Sequence, residues 1–474
     1  MDADDVAAVG SRRRAVVGCP AVHRFTAESE RLAQQIVSSS LDRMRMDPPL
    51  DGPRTPDELL AQAGQTVTPD GLGGDEALRL WTDVLAQACI SVDHPRFLAF
   101  IPGAPTEAST MFDLLVSASS VYAGTWLEGA GAAFAENQAL RWIADLAGLP
   151  PQAGGTFVQG GSGGNLSALV AARHTAARRK GARWPRRWAA LVTGETHSSV
   201  TYALERVMDV DVVAVPGDER GRMTGEALAA TIDGLPPDER DGLFAVVATA
   251  GATNTGTVDD LSGIADVAAE HGLWMHVDGA YGGAGLAALS VRHLFAGIER
   301  ADSFIVDPHK WLFAPFDSCA LLYRDPELAR VAHTQSADYL DAVTQGHDWN
   351  PSDYGVHLSR RARGLPFWFS LATHGTQAYC DAVESTLVVA RAGAEEIRRR
   401  PYLRLLEEPD LSVLIFAREG WGQADYDRWS ASLLSRGTAF VTPTKHHGQP
   451  CTRMAVVNPR TTVADLRGIL ATMA

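Results

Sequence analysis

The sequence predicts an α/β fold: a large domain built on a mainly parallel central sheet, with an N-terminal helical segment before it and a small α+β C-terminal domain after it. Three observations predict this. Short apolar, β-branched runs recur through residues 155–325, helical stretches separate most of them, and beyond 355 the rhythm changes. The implied boundaries are 1–80, 81–355 and 356–474.

Residues 1 to about 20 read as a tail, and 46–75 as a Pro/Gly/Asp-rich connection between helices. A helical pattern from about 76 to 150 stops at Gly148 and the prolines behind it. The strand candidates are then TFVQ (156–159), AALVTG (189–194), DVVAVP (211–216), FAVVATA (244–250), LWMHVD (273–278), SFIVD (303–307) and CALLY (319–323). Helical segments Asn165–Lys180, Thr224–Ile232 and Leu261–His271 lie among them. Strands so continuously apolar must be covered on both faces, as parallel sheets are. A long helical stretch over about 357–399 leads to a strand at 411–416, a helix at 424–436, strands within 439–443 and 452–458, and a last helix at 462–473. Thr462 and Asp465 have the spacing of a capping box for that helix.

With 474 residues and 46% hydrophobic content, the chain can bury a full core without disulfide or metal staples. A net charge of −15 argues against nucleic acid and anionic membranes as partners. No apolar run reaches the roughly 18 residues of a membrane span. Five scattered cysteines without a CxxC pair point to a reducing compartment and away from structural zinc. With no long apolar leader, the expected location is cytoplasmic. Only Lys180, Lys310 and Lys445 are lysines, so chemistry that needs a lysine amine has three candidates.

Lys310 is the best placed. It follows the strand 303–307, broken by Pro308, and so falls at the strand's carboxyl end, where open α/β sheets bind ligands. Apolar Trp311, Leu312 and Phe313 would desolvate the amine, lower its pKa and free it for Schiff-base chemistry. The plain alternative is a surface lysine beside a turn. Lys180 belongs to a basic helix face and Lys445 to a polar loop before His446 and His447. Asp278 ends a second apolar strand and opens the Gly-rich turn DGAYGG; it suits a partner for a pyridine nitrogen, or simply caps the turn. The loop Gln159-Gly-Gly-Ser-Gly-Gly-Asn165 lets backbone N–H groups approach a phosphate at a helix start. It has neither the dinucleotide GxGxxG spacing nor a Walker A. His197, just past strand 189–194, shares that sheet edge, although an isolated histidine is usually structural. A nicotinamide or ATP enzyme would leave Lys310 and the Asp278 turn unexplained. The adjacent His446 and His447 are not expected to face one metal ion, so no metal site is predicted.

In order and spacing, these elements resemble the group II decarboxylases dependent on pyridoxal 5′-phosphate, the aromatic-L-amino-acid decarboxylase family of fold-type I. The resemblance runs from about 80 to 370 through His94-Pro-Arg-Phe-Leu-Ala-Phe-Ile-Pro102, Thr125-Trp126, Gly160–Gly164, His197-Ser-Ser, Ala248-Thr249, His276-Val-Asp-Gly-Ala-Tyr281, Asp307-Pro-His-Lys-Trp311 and Arg360-Arg-Ala-Arg363. It implies an amino-acid decarboxylase in which Lys310 carries the cofactor as a Schiff base and Asp278 pairs with the pyridine nitrogen. Ala280 would lie under the ring and His197 on its other face, and Thr249 would help orient the ring substituents or Asp278. Gly161, Ser162, Gly163 and His309 would hold the phosphate. Phe100, Ile101 and Pro102 would line a pocket for an aromatic or bulky apolar substrate, with Arg96 suited to an acidic one if it points inward. Tyr122 and Gly124 would reach in from the second subunit of a homodimer.

The sequence departs from the family at four places. Asp307 stands where Asn is common, an anion close to the phosphate. Gly161 and Gly163 replace serines. Gly124 replaces a bulkier residue, which would enlarge the pocket. Pro351 falls at the position of the loop tyrosine that protonates the product carbanion; Tyr354 is the nearest substitute and Tyr339 lies further off. Family members without this tyrosine can release an aldehyde after reaction with oxygen, so an oxygen-dependent aldehyde synthase, or another lyase of this cofactor on the same scaffold, is the alternative reading.

Overall fold

The computed structural model describes residues 21–335 and 349–474, so the expected N-terminal tail, Cys19 and Tyr339 lie outside the described residues. The chain divides into two compact units: residues up to Pro48 with Gly52–Ile90, and Pro49–Asp51 with Ser91–Ala474.

The first unit carries helices Ala27–Arg45, Pro56–Ala63 and Gly74–Leu80. The connection expected over 46–75 thus contains a helix of its own. Thr55 accepts the Glu58 N–H, Glu58 reaches back to the Thr55 N–H, and Pro56 fills the first helical position, where no N–H is needed.

The second unit holds a seven-stranded sheet of β1 (Gly154–Val158), β2 (Ala189–Val192), β3 (Asp211–Ala214), β4 (Leu243–Thr249), β5 (Trp274–Asp278), β6 (Ser303–Val306) and β7 (Cys319–Tyr323). The order is β1-β7-β6-β5-β4-β2-β3; only β7 runs antiparallel to its neighbours. Every residue of β4 and β5 is buried. Alternate residues explain this: Val246, Ala248 and Val277 pack on the side of helix Leu261–His271, while Ala245, Val247 and Trp274 pack on the side of helix Gly161–Lys180. The predicted fold class is what the chain adopts.

The small sheet is antiparallel, in the order β10-β11-β9-β8, from β8 (Leu403–Leu405), β9 (Val413–Arg418), β10 (Thr442–His446) and β11 (Gln449–Ala455). The three-residue β8 gave no sequence signal. Leu98 belongs to this core, since its N–H donates to the Phe440 carbonyl at 2.8 Å and its carbonyl accepts from Ala455 at 2.9 Å. The single long helix expected over 357–399 is two, Leu365–His374 and Thr376–Arg398, separated at Gly375 with φ +77°. The capping box of Thr462 and Asp465 forms on helix Val463–Ala471.

Candidate active site

β1, β2, β4, β5 and β6 all end at one edge of the large sheet, and there they surround a cavity of about 270 Å³. Gly161, Ser162, His197, Thr249, Asp278, Ala280, His309 and Lys310 line it, so eight of the residues singled out in the sequence converge.

β6 positions Lys310. The chain leaves it through Asp307, whose carbonyl accepts the Lys310 N–H, and a tight turn aims the amine inward. Lys310 Nζ lies 2.9 Å from Asp307 Oδ2, and His309 Nε2 lies 3.8 Å from the same oxygen. This corrects the expectation for the lysine. Burial does work against the ammonium, but the Asp307 carboxylate outweighs it and holds the pKa above the ordinary lysine value. Burial likewise opposes the charged form of Asp307, yet Lys310 and His309 keep that group below the usual carboxylate range. Trp311 turns away to stack on Tyr281. Asp307 thus serves the amine directly, while its Oδ1 has no hydrogen-bond partner among the described residues.

The glycine loop is helical earlier than expected. Gly160, at φ +121°, takes the chain sharply out of β1, and helix Gly161–Lys180 begins at once rather than at Asn165. The N–H groups of its first turn therefore point out at the cavity, an anion-binding arrangement. A Cβ on Gly161 would stand 3.1 Å from Ala280 Cβ and 3.2 Å from Asp307 Oδ2. Gly163 instead backs onto the Gln159 side chain and does not line the cavity.

Asp278 is 5% exposed; its Oδ1 accepts the Ala280 N–H at 3.0 Å and its Oδ2 the Asn165 side-chain N–H at 2.9 Å. His197 accepts the Ser199 N–H at Nδ1 and so caps the helix Ser198–Tyr202. Thr249 is fixed through its N–H, bonded to Asp259 at 2.7 Å, while its hydroxyl has no partner among the described residues. An amine, a buried carboxylate, a ring-sized space, an orphaned hydroxyl and a helix N-terminus fit pyridoxal 5′-phosphate.

Other expectations are displaced. Tyr354 does not line the cavity: it is 3% exposed, stacked on Trp349 at 4.2 Å in the core beneath β7. Gly124 opens no extra space, because a Cβ there would run into the Tyr122 ring; the Tyr122 hydroxyl in turn donates to the Leu358 carbonyl. Phe100, Ile101 and Pro102 are absent from the cavity wall, as is Arg96. The end of that segment lies near the wall, for Gly103, next to Pro102, packs beneath the His309 carbonyl and the Phe316 ring. His446 and His447, contrary to expectation, do approach a common point with Glu407, their ligating atoms all within 4.8 Å, although Glu407 is already paired with Arg220.

Sequence reasoning missed Asn165, Phe316 and Arg453. Phe316 forms part of the cavity wall and packs on His309 at 4.8 Å. Arg453, 5% exposed, donates to the Phe100 carbonyl and holds that residue at φ +50°. Asn165 closes the glycine run and faces inward, which was its only signal.

Residues 69–418 match the family model described as the pyridoxal-dependent decarboxylase conserved domain. The chain belongs to the pyridoxal-dependent decarboxylase family. It is 28% identical to an aromatic-L-amino-acid decarboxylase of Bacillus atrophaeus, with 94% of each chain covered. It is 32% identical to an L-2,4-diaminobutyrate decarboxylase of Rhizobium meliloti, over 80% of this chain and 77% of that one. The solved structure of Oryza sativa TDC with PLP and tryptamine superposes with a TM-score of 0.87 at 26% identity, covering 95% and 98% of the two chains. The decarboxylase is therefore a carboxy-lyase that uses pyridoxal 5′-phosphate on an amino acid, and its relatives differ in which amino acid they take.

Proposed function

We propose that this decarboxylase acts on an aromatic L-amino acid, with Lys310, Asp278 and His197 as its central residues. The supporting observation is the cavity wall. Phe316, 56% exposed, stands in it, and the apolar segment ending at Pro102 runs alongside, with the Phe100 ring 60% exposed.

Bound pyridoxal 5′-phosphate supplies the electron sink for the pair released when the bond to the carboxylate breaks. Lys310 anchors it through Nζ. Asp278 offers its carboxylate to the ring nitrogen, and Ala280 leaves room beneath the ring. The first-turn N–H groups of Gly161 and Ser162, with His309, take the phosphate. Thr249 supplies a free hydroxyl. His197 covers the opposite face and can hold a proton at Nε2.

The active enzyme is a homodimer in this reading. Leu115, Leu127 and Phe134 are 55–72% exposed on helices Glu107–Ser119 and Trp126–Leu146. Tyr122 and Gly124, between those helices, do not line their own chain's cavity, and in this reading they complete a partner's.

A second reading, an oxygen-using aldehyde synthase, draws on one observation. Among the described residues, Tyr281 is the sole tyrosine on the cavity wall, and its hydroxyl is bonded to Ser412 at 2.6 Å. A panel of amino acids, followed for amine, aldehyde, carbon dioxide and peroxide, separates the two. Aromatic substrates should give amine and carbon dioxide. Turnover confined to diaminobutyrate or acidic amino acids would sink the aromatic reading. Lys310→Ala should abolish both turnover and the yellow absorbance of the purified enzyme.

A further inference from the structure

Asp278 and His197 reach the cavity from different strands, and one buried side chain touches the first directly and the second through its partner Ser199. Asn165 is 1% exposed. Its Nδ2 lies 2.9 Å from Asp278 Oδ2 and 3.1 Å from Ser199 Oγ, and its Oδ1 lies 2.8 Å from His276 Nε2.

The protons in this chain can be placed from its ends. The Trp274 indole N–H can only donate, and does so to Ser303 Oγ at 2.8 Å. The Ser303 hydroxyl then donates to His276 Nδ1, also at 2.8 Å. Burial holds His276 down to about 4, so its ring is neutral and carries its one proton on Nε2, which donates to Asn165 Oδ1. Both amide protons remain, one for Asp278 and one for Ser199. The flipped amide would set Oδ1 against a carboxylate oxygen. At the far end, the Ser199 N–H at 3.2 Å and the Ser199 hydroxyl at 2.8 Å, its oxygen already accepting from Asn165, share the one lone pair of His197 Nδ1. His197 is left with its proton on Nε2. Every donor finds an acceptor, and no member can be reversed alone.

We propose that Asn165 is a positioning residue, which holds the Asp278 carboxylate oriented toward the cofactor's ring nitrogen and, through Ser199, fixes the tautomer of His197. This rests on the reading that Asp278 faces that nitrogen.

The test compares how apoenzyme binds pyridoxal 5′-phosphate and its carbocyclic analogue, in which C–H replaces the ring nitrogen, by quenching of tryptophan fluorescence. Wild type should prefer the natural cofactor, since only that one can use Asp278. Asn165→Ala should shrink the preference roughly tenfold, the worth of one hydrogen bond to a charged group. The isosteric Asn165→Asp keeps the volume and sets a second carboxylate beside Asp278, so it should shrink the preference as well even if the alanine variant fails to fold. Ser199→Ala should leave it intact. Equal weakening toward both ligands in the Asn165 variants, or no weakening, overturns the proposal. A wild type indifferent to the ring nitrogen overturns the reading of Asp278 itself.

Discussion

At the residue scale the unusual group is Asp307. It is 1% exposed and bound to Lys310, the lysine on the cavity wall, so it stabilises the ammonium, which in the proposed reading must be lost before the cofactor attaches. Asp307→Asn keeps the shape and removes the charge. The Lys310 pKa should fall, and the free amine at neutral pH should rise by up to about tenfold for each unit of that fall. Stopped-flow mixing of apoenzyme with cofactor should then show faster attachment, with the pH profile displaced to lower values. An unchanged profile would mean that Asp307 does not govern the amine. The sequence marked Asp307 as a departure but gave no way to learn whom it faces, because the 2.9 Å contact depends on the turn through Pro308.

At the element scale, the first turn of helix Gly161–Lys180 sets how closely an anion can approach. Gly161 has no room for a larger side chain between Ala280 and Asp307. Gly161→Val should therefore displace the cofactor or its neighbours at about 1–3 kcal/mol, a rise of about 5- to 150-fold in its dissociation constant. Equilibrium dialysis measures this directly, and an unaltered constant would show that the helix start is not the phosphate cradle. The same scale shows what periodicity could and could not reveal. Seven apolar runs gave seven strands; six are buried on both faces and so must be apolar, whereas edge strand β3, with no buried residue, was marked by its β-branched run alone. β8 escaped because three residues carry no period. The helix break at Gly375 escaped because amphipathic patterning continues on both sides of it.

At the scale of the whole molecule, Arg360 and Glu136 form a bidentate ion pair, their side chains 1% and 3% exposed. Arg360 also bonds the carbonyls of Ala123 and Phe157 and so ties β1 to the segment before Gly364. Arg360→Met strands a buried carboxylate and should cost about 3–5 kcal/mol in urea unfolding. A loss below 1 kcal/mol would refute the role. His333 governs part of the acid sensitivity. It is 7% exposed, bonded to the Ser167 carbonyl, and burial holds it down to about 4. Between the ordinary histidine value and about 4 the unfolded chain binds a proton that the folded chain refuses, so stability falls as pH falls through that window. His333→Gln should remove about 1.4 kcal/mol per pH unit of that slope. A slope identical to wild type would exclude His333 as its source.

The sequence by itself determined the fold class, the sheet edge and the cofactor chemistry. Lys310, Asp278, His197 and the glycine loop are each fixed by a strand's carboxyl end, which local pattern reveals. The tertiary structure alone decided who faces whom. It paired Lys310 with Asp307, joined Asn165 to Asp278 and, through Ser199, to His197, buried Tyr354 in the core and filled the space beside Gly124 with Tyr122. The physical reason is range. Strand and helix signals are carried by neighbours along the chain, whereas ionisation, proton placement and pocket shape depend on side chains brought together from strands far apart in sequence.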